Sequence, residues 1–268
     1  MNKIELCKKC TKREFDFKQG IVCGLTNEKP DFEDSCPDFD RDETVTAYTG
    51  LSIKPNGQRA KNAITLIWIV LVLEIVSFVS GYFQYDLLQT VANGGEISME
   101  RANANDSREQ VIGIIFMIVY IISAIMFIQW FRRGYDNLHQ KVKHLSHTEG
   151  WAAGSWFAPI INLYRPYQIM KELYQETKVL LTKEGLTVSE NYSTNSLGLW
   201  WTLWIISGII GQFIFRYSMR AETIDELTIS TVSGMVANII GIPLALITIK
   251  IIKDYSKVEP LLNEIKDE

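Results

Sequence analysis

The chain has 268 residues, a formal net charge of -4 and an isoelectric point near 5.6. A nucleic-acid-binding protein normally carries a basic face, so this charge balance argues against that class. The mean hydropathy of +0.04 averages two unlike parts, because residues 1–62 are rich in Lys, Asp and Glu whereas the remainder concentrates its apolar residues into long segments.

Four of these apolar segments run for 19 to 22 residues each and contain one formal charge among them, that of Glu74. The segments are residues 63–83, 111–131, 197–215 and 228–249. A helix of about 20 residues is about 30 Å long and spans the hydrocarbon layer of a bilayer, where helices satisfy their own backbone hydrogen bonds. The sequence therefore predicts an all-α fold, a four-helix transmembrane bundle within a membrane domain of residues 63–257.

Positive charge collects beside the spans on one side of the predicted membrane. The Lys and Arg residues next to the ends of the spans on that side are Lys54, Arg59, Lys61, Arg132, Arg133, Lys141, Lys143, Lys250, Lys253 and Lys257. The two loops on the other side carry Arg101, Arg108, Arg216 and Arg220. Because cytoplasmic loops carry the excess of Lys and Arg, we predict that both termini are cytoplasmic.

All four cysteines lie in residues 1–45, which we predict to be a small cytoplasmic module followed by a linker over residues 46–62. Their spacing is Cys7-x2-Cys10-x12-Cys23-x12-Cys36. Four thiolates suit a tetrahedral structural zinc, and a segment of this size buries too little apolar surface to fold alone. An iron or redox dithiol site and unligated cysteines are the alternatives. Residues 258–268 are predicted to be a cytoplasmic tail.

Glu74 lies near the middle of the first span, where an ionised carboxylate is costly unless it is neutralised or paired. The candidate polar partners on the other spans are Tyr120, Ser123, Gln212 and Asn238. One hypothesis is that Glu74 relays a proton or cation. The other, which the lack of a second acidic residue in the spans favours, is a buried hydrogen bond that holds the helices together.

Between the second and third spans, residues 151–164 form an uncharged segment that is too short to cross a bilayer. Gly154 and Pro159 interrupt it, and two tryptophans favour the headgroup boundary. An amphipathic helix is predicted after Pro166. Residues 151–181 are therefore predicted to form an interfacial segment, with Trp156, Phe157, Pro159, Asn162 and Pro166 as its motif.

Three motifs carry a resemblance to a known family: Phe127-Ile-Gln-Trp-Phe-Arg-Arg133, Asn137-Leu138, and Trp156-Phe-Ala-Pro-Ile-Ile-Asn-Leu-Tyr-Arg-Pro-Tyr-Gln-Ile-Met-Lys-Glu-Leu173. Over roughly residues 60–255 the chain resembles the bacterial integral-membrane family called domain of unknown function 4328. The resemblance implies a multi-pass protein of the bacterial inner membrane and implies no activity. The four-cysteine module is similar to N-terminal modules of Bacteroidota membrane proteins.

These observations favour a non-enzymatic membrane scaffold or adaptor, in which a structural zinc module contacts a protein partner. The alternative is a small transporter or channel component that uses Glu74. A membrane enzyme would need a nucleophile with a base or an open metal site, and the sequence offers neither pattern. The lipid bilayer is the one partner that the sequence identifies directly, and the oligomeric state does not follow from it.

Overall fold

The computed structural model describes residues 3–7, 10–16, 20–32, 35–40, 42, 53–188 and 192–265. The chain divides into two compact units, one of residues 1–52 with 266–268 and one of residues 53–265. The predicted linker of residues 46–62 therefore lies partly outside the described residues. Its part from Gly57 onward is helical and belongs to the second unit.

The first unit contains a short helix and a two-stranded antiparallel hairpin that the sequence analysis did not anticipate. Helix α1 is Lys3–Cys7, strand β1 is Arg13–Asp16 and strand β2 is Gly20–Cys23, with Arg13 opposite Cys23. Asp40 and Asp42 return to the hairpin: the Thr11 amide donates to the Asp40 carbonyl (2.8 Å), and Arg13 pairs with Asp42 (2.7 Å).

Every regular secondary-structure element among the described residues of the second unit is a helix. Its helices are α2 (Gly57–Ala92), α3 (Met99–Lys141), α4 (Glu149–Gly154), α5 (Arg165–Lys183), α6 (Asn195–Ser218) and α7 (Ile224–Val258). Short 3-10 helices lie between α4 and α5, at Ile161–Leu163, and directly after α7, at Glu259–Glu264. The second of these occupies most of the predicted tail, whose last residues, 266–268, lie outside the described part.

Helices α2, α3, α6 and α7 are each long and apolar enough to cross a membrane. In the most apolar window of α3 only 11% of the residues are buried within the chain, and Ile118 and Ile121 are half exposed. Soluble proteins rarely expose an apolar surface of this extent, whereas lipid tails solvate it well. Together these four candidate spans indicate a membrane protein.

The four long helices pack side by side in the order α3, α2, α7, α6. Neighbours run antiparallel: Ser80 of α2 meets Glu109 of α3, Gly81 meets Met235 of α7, and Trp200 of α6 meets Thr248. The outer helices α3 and α6 do not pack extensively on each other. Through Trp156, residues 149–163 contact both of them at the end where α2 begins and α7 ends, which we call the terminal end. The bundle is therefore open between α3 and α6.

Candidate functional site

A cavity of about 310 Å³ lies between the four long helices. Every one of them contributes residues to it, and so does the segment that joins α3 to α5. Aromatic rings form much of the wall. They belong to Tyr120, Phe127, Trp156, Phe157, Trp200 and Trp204. The polar side chains of the wall are those of Glu74, Ser123, Ser207 and Thr248, with the hydroxyl of Tyr120.

Glu74 borders this cavity and is 8% exposed. Asn238 of α7 lies beside it. In the orientation of its amide that satisfies both groups, the Asn238 nitrogen donates to Oε2 of Glu74 (2.8 Å). The Asn238 oxygen accepts from the Phe78 amide (3.2 Å). Gly241 lies directly against the carboxyl group, because a Cβ at this position would overlap it. The carboxyl is thus held between α2 and α7 by one hydrogen bond and one close backbone contact.

The other predicted intramembrane partners fall in two places. Tyr120 and Ser123 line the same cavity as Glu74. Gln212 does not, since it is exposed and lines a separate depression near the opposite end of α6, with Arg216 and Glu226. The structure therefore joins Glu74 to Asn238 and separates both from Gln212.

Trp156 lies at the centre of an aromatic cluster that forms part of the cavity wall. Its ring centroid is 5.6 Å from that of Phe127, 6.4 Å from that of Trp200 and 5.5 Å from that of Trp204. The indole Nε1 donates to the Ala152 carbonyl (3.1 Å), which fixes the ring. Because Phe127 is on α3 and both other tryptophans are on α6, Trp156 connects the two outer helices.

The remaining residues of the predicted interfacial motif have different environments. Phe157 is 75% exposed and contributes to the cavity wall. The Pro159 carbonyl accepts from the Ile161 amide (2.7 Å), and the Asn162 amide donates to the Ala158 carbonyl (3.0 Å). Pro166 is buried in the first turn of α5, a position that suits a residue without an amide hydrogen.

A buried polar cluster at the terminal end was missed by the sequence analysis. Asn56 Nδ2 donates to both carboxyl oxygens of Glu259 (3.1 Å each), and Asn137 Nδ2 donates to Oε1 (2.7 Å). The Lys54 amide in turn donates to Asn137 Oδ1 (3.0 Å). The cluster thus links the start of α2, the extension of α3 beyond the predicted span (residues 132–141) and the end of α7. Asn137 belongs to a quoted family motif, but nothing in the sequence indicates its partners.

Glu259 lies ten residues beyond the end of the apolar segment of residues 228–249. Burial raises the pKa of its carboxyl from an ordinary value near 4.5 to about 7, and the hydrogen bonds from Asn137 and Asn56 and the charge of Arg133 oppose this shift only in part. The carboxyl is 4% exposed. It consequently titrates near neutral pH.

A second polar cluster attaches α5 to the extension of α3. Tyr135 donates its hydroxyl hydrogen to Glu172 Oε2 (2.5 Å), and the Ser146 amide donates to Oε1 (2.7 Å). Burial alone would raise the pKa of Glu172, but these hydrogen bonds and the nearby His147 hold it below its usual value. A carboxylate that remains ionised therefore anchors α5.

The four cysteines surround one small cavity in the first unit, together with Val22 and Phe39. Cys7 and Cys10 are buried, and the Cys10 amide donates to the Cys7 carbonyl (3.1 Å) in a tight turn. Burial, followed by the charges of Cys36, Cys10 and Cys23, raises the pKa of the Cys7 thiol. Among the described residues, no three His, Cys, Asp or Glu side chains are arranged as a ligand group for a metal ion. The sulfurs are gathered but not in ligand geometry.

Comparison with known protein families matches residues 93–257 to the family described as Domain of unknown function (DUF4328). The chain belongs to this family. The match covers α3 to α7, and it begins at Asn93 rather than near residue 60, so α2 and Glu74 lie outside it. The cysteine-rich unit lies outside it as well. No curated protein and no solved structure matches the chain.

Proposed function

We propose that this DUF4328 protein is a small transporter or channel component. Its cavity, bordered by Glu74, would bind and pass on a proton or a cation. The observation that carries the proposal is the position of Glu74: the one formal charge of the four apolar segments borders a cavity to which all four long helices contribute. Ionisable groups inside membranes are costly, and ion pathways are a common reason for their presence.

Proteoliposomes test this proposal. Vesicles that contain the purified protein and a pH-sensitive dye are given a potassium diffusion potential, and the rate of internal acidification is measured. We expect Glu74→Gln to reduce the protein-dependent rate of acidification at least about tenfold, because the amide can neither release nor accept a proton near neutral pH. Glu109→Gln is the matched control, since Glu109 also bridges α2 and α3 through Ser80 but lies outside the cavity wall.

The opposite result has a clear meaning. If Glu74→Gln leaves the flux unchanged and lowers the thermal stability, Glu74 is a structural hydrogen-bonding group and the transport proposal is wrong. The non-enzymatic character of the protein is part of the same proposal, and no hydrolytic or transfer step is assigned to the cavity.

A second function is supported by the gathering of Cys7, Cys10, Cys23 and Cys36 around one cavity. We propose that these residues bind a structural zinc and that the first unit is an adaptor for a protein partner. A zinc ion stabilises the thiolate form of cysteines that lie close together and takes four of them in a tetrahedral arrangement, which leaves no position for a reacting water. The excess of Lys and Arg beside the terminal end supports a cytoplasmic location for this unit, at the bacterial inner membrane.

Metal analysis of the purified protein tests the zinc proposal. We expect one zinc per chain and loss of that zinc when all four cysteines are replaced by serine. Metal retained by the serine variant, or a metal-free native protein, would contradict it. The adaptor role predicts that a copurifying partner is lost when residues 1–45 are deleted, whereas the membrane unit remains folded.

A further inference from the structure

The cavity in the membrane unit has an uncompensated acid in its wall. Among the described residues that line it, Glu74 is the single carboxylic acid and there is no Lys, Arg or His. Asn238 donates one hydrogen bond to the carboxyl but carries no charge. An ionised Glu74 therefore needs a positive charge from outside the chain, which a proton or a bound cation can supply.

The rest of the wall selects among cations. The faces of aromatic rings carry negative electrostatic potential and attract positively charged groups, most strongly for tryptophan and for cations that have lost their water. Three tryptophans, Trp156, Trp200 and Trp204, contribute to this wall. The cavity volume of about 310 Å³ is at the lower end of the range for pockets that bind small organic molecules.

Inorganic cations are poorly matched to the same wall. Calcium and similar hard ions require about six or more oxygen ligands. The cavity supplies few oxygens, and the Thr248 hydroxyl is already engaged, since it donates to the Leu244 carbonyl (2.6 Å) and accepts from Trp200 Nε1 (3.1 Å). A dehydrated metal ion would lack the coordination that replaces its water.

We propose that this cavity binds a lipophilic organic cation, an amine or onium ion whose charge pairs with the Glu74 carboxylate while its apolar body lies against the tryptophan rings. The inference rests on the proposed function and names the substrate class of the same cavity.

Equilibrium binding of radiolabelled phenyltrimethylammonium, a cation small enough for a cavity of about 310 Å³, to the purified, detergent-solubilised full chain tests it. We expect saturable binding that Glu74→Gln weakens at least about tenfold through loss of the charge pair, whereas Glu109→Gln binds like the parent protein. The uncharged analogue tert-butylbenzene should compete equally weakly in the parent and in Glu74→Gln. Equal phenyltrimethylammonium affinity in the parent and in Glu74→Gln would overturn the proposal.

A second pair of variants keeps the test decisive if Glu74→Gln does not stay folded. Trp201 and Trp204 stack on each other with ring centroids 4.7 Å apart, but only Trp204 belongs to the described cavity wall. Trp204→Leu should weaken binding severalfold and Trp201→Leu should not; equal effects would contradict the site. Glu74-dependent proton flux without phenyltrimethylammonium binding refutes this inference alone, whereas binding without any flux refutes transport alone.

Discussion

Two side-chain amides hold the carboxyl group of Glu259 in a nearly water-free site where α2, α3 and α7 meet. A buried carboxyl favours its protonated form, whereas the same group in the unfolded chain ionises near pH 4.5. Its titration is therefore coupled to the stability of the whole terminal end.

The free energy of unfolding should fall as the pH rises from about 4.5 to about 7. Because the pKa of Glu259 is higher in the folded than in the unfolded state, its contribution is complete below about pH 4.5, decreases as the pH rises to about 7 and then stays constant. The full change corresponds to about 3 kcal/mol. Thermal unfolding of the detergent-solubilised protein at several pH values measures it, and Glu259→Gln should remove this component. A Glu259→Gln profile identical to that of the parent would refute the assignment.

The contact between Gly241 and Glu74 leads to a prediction about side-chain volume. Gly241→Ala should destabilise the protein by about 1 to 3 kcal/mol, the usual cost of overpacking, since the added methyl group meets the carboxyl. Gly234→Ala, seven residues earlier on the same helix, is the control, because a Cβ there meets nothing within 4 Å. Thermal melts of both variants decide the matter, and equal melting temperatures would contradict the packing.

At the residue scale the sequence identified Glu74, since a single charge within an apolar span is visible by inspection. It could not distinguish Asn238 from Gln212 as the partner, because both are polar residues in apolar helices and the choice depends on how α6 and α7 are rotated. Glu259 was missed for a related reason: its partners lie 122 and 203 positions away in sequence.

At the level of elements, the connection between α4 and α5 contains a strained turn. Ile160 has φ 67° and ψ -47°, and the Ile161 amide donates to the Pro159 carbonyl across it, which makes a tight γ-turn. A β-branched residue is unfavourable at positive φ. The strain is located in the segment that carries Trp156 and positions it between α3 and α6.

Relief of this strain should stabilise the protein. Ile160→Gly is expected to raise the free energy of unfolding by about 1 kcal/mol or more, because glycine adopts positive φ without steric cost and the Ile160 side chain is 75% exposed. Ile161→Gly should instead lower it, since residue 161 begins a 3-10 helix with negative φ. Melting temperatures test the pair, and a lower value for Ile160→Gly would contradict the turn geometry.

The apolar segments predicted the existence of the four long helices but not their ends. Helix α3 extends to Met99 and Lys141, well beyond residues 111–131. Hydropathy locates the part of a helix that lies in hydrocarbon, whereas the helix itself ends at caps such as Ser98, whose hydroxyl accepts from the Arg101 amide (3.2 Å). The β-hairpin was missed because cysteine spacing dominated the interpretation of residues 1–45.

At the scale of the whole molecule, the sequence predicted the number of spans and could not predict their order. The packing order α3, α2, α7, α6 depends on contacts such as that of Gly81 with Met235, between positions 154 residues apart. The helical periodicity of one span does not indicate which of the other spans that helix packs against. The cavity, which needs all four helices, was therefore beyond the reach of the sequence alone.

The proposed orientation can be tested by labelling. In right-side-out membrane vesicles, a membrane-impermeant maleimide should leave the native chain unlabelled, because its four cysteines are proposed to face the cytoplasm. Asn93→Cys, between α2 and α3, should become labelled from outside, and Lys143→Cys, after α3, should not. Labelling of Lys143→Cys but not of Asn93→Cys would invert the topology.

The indole of Trp156 is hydrogen-bonded to Ala152 of α4 and contacts rings from both outer helices. At the terminal end Trp156 packs between α3 and α6, so these helices cannot separate there without displacing residues 149–163. Among the described residues, no comparable aromatic contact joins α3 and α6 further along, where their exposed apolar side chains are expected to face lipid. The proposed ligand would consequently enter and leave sideways, through the acyl-chain region, and its membrane partition coefficient would govern how fast the proposed site fills.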